Sequence, residues 1–194
     1  MKKLVPNQLI NQPVNLLLPK NSLNLMMKSV LILMFMLFAT NISAQNLTAR
    51  SSGIMEVQAF LSALRGSNAS SRSAQSEADH LERLINDKQP AVYFDASGAR
   101  NYGENPTSLY TNPASLSNLA QASFDKGSIE IVTIRIVTNA DKNGMIDLSV
   151  FSDFPKLKYV YILSDIKTTS EAIRQSIKGA SPTLGIFYKI EIGS

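Results

Sequence analysis

The chain has no cysteine and a single histidine among its 194 residues. Without cysteine there is no thiol catalysis, cysteine-ligated zinc, acylated-cysteine anchor or disulfide staple, so stability must come from a packed core. His80 has no second histidine or a cysteine with which to share a metal, and Asp79 beside it points away on a helix. A partly exposed surface histidine is the expectation. A G-x-S-x-G nucleophile elbow is also missing, and the glycines of GARNYGENP come without a phosphate-loop lysine. No spacing singles out a pair of carboxylates for glycoside hydrolysis. The longest apolar run, VLILMFMLF at residues 30–38, has nine residues, against roughly 20 needed for a membrane-crossing helix.

That short run has a context. Lys28 precedes it, and the small and polar ATNISA follows, which is the order of a secretory signal peptide resembling those of bacterial exported proteins. Cleavage after Ala44 would start the mature chain at Gln45; a retained N-terminal anchor is the lesser reading. The 25 residues before Met26 are long for the head of such a segment, so Met26 and Met27 compete with Met1 as the start. Four of the 19 basic residues (Lys2, Lys3, Lys20 and Lys28) and no acidic residue lie in 1–44, which leaves 15 basic and 15 acidic residues in balance. The basic character therefore belongs to the leader, and no nucleic-acid partner is expected.

Composition divides the chain into a leader and signal peptide (1–44), a helical segment (45–90) and an α/β unit (91–194). Ile54, Val57, Leu61 and Leu64 form an amphipathic stripe ended by Gly66. After a soft run of small polar residues, Leu81, Leu84 and Ile85 form a second stripe, entered at Ser76. AVYFDA from Ala91 reads as a short strand, and the Gly-, Asn- and Pro-rich stretch after it as a loop. Asn112 and Pro113 mark a helix start. Strands are expected at 128–138, 157–164 and 185–192, with helices at 146–153 and 170–178 between them. The expected fold is α/β: a small, mainly parallel sheet of three to four strands with crossover helices, preceded by two N-terminal helices.

Within the last three strands, Ile131, Ile134 and Ile136, then Leu157, Val160 and Ile162, then Phe187, Ile190 and Ile192 each fit an apolar x-x apolar-x apolar pattern. Residues 115–194 thereby resemble leucine-rich repeats, L-x-x-L-x-L-x-x-N, with Asn139 at the asparagine position of the first copy and Asp165 replacing it in the second. The resemblance implies a short repeat stack, the alternative fold, and a protein-binding surface.

The segment TNADKNGMIDLS comes nearest to a chemical motif. Asn139, Asp141, Asn143, Met145 (through its carbonyl) and Asp147 match five oxygen-ligand positions of a calcium loop, and Gly144 stands where such loops turn. Val150 stands where the completing glutamate should be, so the same residues also read as a plain strand-to-helix turn in which Asp147 caps a helix from Leu148. No other cofactor is expected. Tyr159, Tyr161 and Leu163 share one strand face, a candidate partner-binding surface unless helices cover it.

These features point to an exported protein of the periplasm or extracellular space, with a noncatalytic binding or structural role. A hydrolase of envelope or extracellular polymer, using carboxylates brought together only by folding, is the alternative. N-terminal sequencing of the processed protein should read Gln-Asn-Leu-Thr-Ala from Gln45; any other start moves the cleavage point.

Overall fold

The computed structural model describes residues 53–66 and 72–191. All of them fall in one compact unit, 43–194. The signal peptide expected at 1–44, the start at Gln45, residues 67–71 of the small polar linker and Ile192 lie outside the described residues.

The protein is α/β and mostly parallel. Strands β1 (Met55–Glu56), β2 (Ala91–Asp95), β3 (Gly98–Tyr102), β4 (Ser108–Thr111), β5 (Ile131–Ile136), β7 (Tyr159–Ser164) and β9 (Gly185–Ile190) build a seven-stranded sheet in the order β1-β9-β7-β5-β4-β2-β3. Only the β2–β3 pair is antiparallel. From β2 through β4, β5 and β7 to β9, each parallel strand lies beside the one before it. On the far side, β6 (Ile146–Asp147) and β8 (Ile177–Lys178) form a second, two-stranded parallel sheet.

The sheet has more strands than the apolar pattern predicts. GARNY, expected to be loop, is β3, and SLYT, which the pattern assigns to no element beyond Ser108, is β4: the first has no apolar alternation and is almost wholly exposed, and the second is only four residues long. The helix expected at 146–153 is instead β6 followed by a 3-10 turn, Leu148–Phe151. Asp147 ends its strand and caps that turn by accepting the Ser149 N–H at 3.1 Å. Asn112 likewise caps a 3-10 helix, Pro113–Gln121, accepting the Ser115 N–H at 3.0 Å.

Parallel strands need cover on both faces. On one face Val92, Leu109, Val132, Val160 and Ile186 stand in register, packed beneath Leu119, Ile146, Leu148 and Phe151 from the 3-10 elements and β6. On the other, helices α1 (Val57–Gly66) and α2 (Arg72–Asn86) bury Ile131, Tyr159, Tyr161 and Phe187 under Phe60, Leu64, Leu81 and Leu84. Arg65 of α1 pairs with Glu82 of α2 at 2.7 Å. Two short helices complete the fold: α3 (Asn139–Asn143) and α4 (Ser170–Ser176).

The in-register pairing displaces the repeat alignment drawn from the sequence. Val160 faces Val132 and Ile186, so the first copy is two residues out of step and the third four. Strands buried on both faces carry apolar residues at successive positions (Ile131, Val132 and Ile134 here), and an alternating pattern then matches more than one register.

Helix α1 reaches the sheet because Gly185 has no side chain. A Cβ there would stand 2.6 Å from the tip of the Phe60 ring and 3.1 Å from Tyr159. Phe60 is fully buried, with its ring 4.9 Å from Phe187 and edge-on to Tyr159. Gly185→Ala should therefore lower stability by about 1–3 kcal/mol in denaturant unfolding, through overpacking. An unchanged midpoint would mean that α1 is not held against the sheet at this point.

Candidate functional site

The residues of the calcium-loop pattern do not lie on one loop. Asn139 and Asn143 bound α3, Met145 is exposed, and Asp147 sits in β6. Asp141 is buried and turned back on the helix start: its Oδ2 accepts the Thr138 N–H at 3.0 Å, the Val137 N–H at 3.2 Å and the Thr138 hydroxyl at 2.8 Å. Thr138 Oγ1 accepts the Asp141 N–H in return, which makes a capping box. Gly144 has φ −75°, so it is not a left-handed turn residue as expected; a Cβ there would crowd the Asp141 carbonyl at 3.2 Å. The Asp147 carboxyl is held below its ordinary range first by the Ser149 hydroxyl and amide and then by the Lys178 charge, whose Nζ is 3.6 Å away. The Asp165 carboxylate, from the end of β7, pairs with Arg135. Among the described residues no group of three His, Cys, Asp or Glu side chains comes together to hold a metal.

Tyr159 and Tyr161 form no open partner-binding face; both lie under α1 and α2. The Tyr159 hydroxyl donates to Glu77 of α2 at 2.9 Å. Burial, then the charges of Glu191, Glu56 and Asp165, pushes the Tyr161 phenol up to about 12. The two tyrosines hold the helices to the sheet, because strands on this side must be buried on both faces. Tyr188 of β9 lies on the opposite face in register with Ile162.

The open face lies two strands away, where sequence reading placed only a strand and a loop. Tyr93 of β2 and Tyr102 of β3 are 42% and 58% exposed. Tyr93 stacks on Tyr110 of β4 with ring centroids 4.8 Å apart and planes 14° apart, and Tyr102 meets Tyr93 edge-on at 5.2 Å. Burial, and next the neighbouring Tyr93, raises the Tyr110 phenol above its ordinary value of 10. Beside Tyr110 is a cavity of about 380 Å³, lined also by Thr133, Arg135 and Val137 of the β5 region, Leu163 of β7, and Asp95 and Asn112 at the ends of β2 and β4. Asp95 is compensated locally: the Ser97 hydroxyl and amide, then the Arg100 charge, hold its carboxyl below the ordinary range. With Arg135 tied to Asp165, the cavity presents aromatic and aliphatic walls and two neutralised ion pairs. Asp95 is the one carboxylate of that lining, which holds no histidine, cysteine or lysine.

A second cavity, about 450 Å³, lies on the other side against Leu148, Phe151, Phe154 and Leu184, with serine and threonine hydroxyls and no carboxylate in its lining.

His80 is the other sequence candidate. It is partly exposed, as expected, and its Nε2 lies 2.9 Å from Glu130 Oε2, with Lys158 Nζ 3.6 Å from the same oxygen. This joins α2 to the residues that precede β5 and β7. Burial pushes the Glu130 carboxyl up, but the hydrogen bond and charge of His80 and the charge of Lys158 together bring it below its ordinary 4.5. A lowered folded-state value means that the stabilisation is complete above 4.5 and lost as pH falls through the folded value. Glu130→Gln should cost about 0.5–1 kcal/mol near neutral pH and flatten the acid limb of a stability–pH curve; an unaltered limb would remove Glu130 as its source.

Comparison with protein-family models, curated proteins and solved structures found no match to this chain.

Proposed function

We propose that this is an exported, noncatalytic binding protein that takes its partner on the uncovered half of the parallel sheet. The observation that carries this reading is the strip Tyr102–Tyr93–Tyr110, two of whose rings are well exposed and which leads into the cavity over β5. Exposed tyrosines give large, rigid contact area at low entropic cost and are enriched at recognition surfaces. Helices shield the other half of the same face, so the exposure is local.

Two further features support the reading. Sequential parallel strands backed by 3-10 turns and the small β6–β8 sheet are the layout that a short repeat stack resembling leucine-rich repeats would take, and such stacks bind along a sheet face. Export rests on the leader pattern at 1–44. The alternative, a carboxylate-dependent hydrolase, draws less support: Asp95 is the one carboxylate in the cavity lining, and Ser97 and Arg100 already engage it.

In a pull-down from the envelope and extracellular fractions of the producing cells, the intact protein should recover a discrete component. The double variant Tyr93→Ala, Tyr110→Ala should lose most of it while keeping its fold by circular dichroism. Equal recovery by the two proteins would remove the tyrosine face as the binding surface.

A further inference from the structure

One row of side chains crosses the sheet in register: Tyr93, Tyr110, Thr133, Tyr161, Phe187. Four of the five are aromatic. Tyr93 and Tyr110 stack at 4.8 Å and 14°, and Tyr161 and Phe187 at 5.2 Å and 30°. These spacings follow the strand separation, so each ring stands upright over its own strand. Thr133 interrupts the ladder. Its short side chain stands between Tyr110 and Tyr161, whose strands are two steps, or about 9.5 Å, apart. The Tyr110 side of this gap belongs to the cavity already described, with Thr133 buried at its floor; Tyr161, under the helices, does not line it.

Resting on the binding reading above, we propose that the gap over Thr133 is a slot for one uncharged aromatic ring, which stacks on Tyr110 and completes the ladder. The outer ring face of Tyr110 is the wall, Thr133 the floor, and Leu163 the apolar side. Arg135 stands on the same face as Thr133, two residues along, and lines the cavity while paired with Asp165. The guest is uncharged because both ionic side chains of the lining already have partners, Asp95 with Arg100 and Arg135 with Asp165. A charged guest would gain no unpaired counter-ion. A pyranose is the weaker fit: it is thicker than a flat ring and needs free polar groups around its rim, whereas the two strongest ones here are committed. The ring can be free or carried on a polypeptide, whose backbone Asn112 could engage at the cavity edge.

The chain contains no tryptophan, so an indole probe reports its own binding by fluorescence. Titrated with the full chain, N-acetyltryptophanamide should show a saturable blue shift. Thr133→Phe, which fills the slot from within, should weaken binding by about tenfold or more, while Thr133→Val, of nearly equal size, should retain it. Tyr110→Leu keeps the bulk but removes the stacking wall, and should weaken binding even if the Thr133→Phe protein fails to fold. Tighter binding of N-acetyltryptophanamide than of 3-methylindole would assign a polypeptide source, and equal binding a free aromatic compound.

The proposal is overturned if the intact chain leaves both indoles unbound, or if Thr133→Phe and Tyr110→Leu bind them as well as the parent does. Binding of a methyl glycoside in place of the indoles, abolished by Tyr93→Ala with Tyr110→Ala, would overturn the ring slot while leaving the binding face intact. Loss of the pull-down difference described above would instead remove the face itself.

Discussion

A parallel sheet favours cover on both faces, and among the described residues two long helices are at hand to shield its second face. The rest of the structure follows from how that cover is shared. The first face is closed by 3-10 turns and the β6–β8 pair, which bring Leu148, Phe151 and Ile146 down on the central valines. Helices α1 and α2 close the second face over β5, β7 and β9 and stop there, resting on Tyr159, Tyr161 and Phe187. Strands β2 and β4 keep their outward tyrosines uncovered. The division has a local cause: Gly185 and the flat stack of Phe187 on Tyr161 let α1 approach, and Phe60 fills the space that results.

What could be read from the sequence was set by length and contrast. Strands β5, β7 and β9 have six residues each, four or five of them buried, and their apolar content marks them. The stripes of α1 and α2 are equally plain, because Leu61, Leu64, Leu81 and Leu84 recur at helical spacing. The candidate site lay in the part that gave no signal. Leu109 is the one large apolar residue that β4 sends to the core, and Tyr110 next to it carries no sequence signal until the register places it beside Tyr93. The aromatic row itself is invisible in sequence, since its members come from five strands at unequal intervals and meet only through pairing.

The segment from Thr138 to Asp147 shows the opposite case, a pattern with chemistry in it that the fold spends locally. Its two carboxylates serve backbone amides, Asp141 at the start of α3 and Asp147 at the 3-10 turn that follows. Caps and calcium loops draw on the same residue types because both need oxygen atoms aimed at a sharp change of chain direction.

The two borders of the sheet carry a consequence of their own. At one end β3 is short, polar and exposed, with the Arg100–Asp95 pair across its hairpin; at the other β1 offers only Met55 and Glu56. Strands this brief or this polar make poor templates for further pairing. Fibre-like growth through main-chain hydrogen bonds is therefore discouraged at both ends.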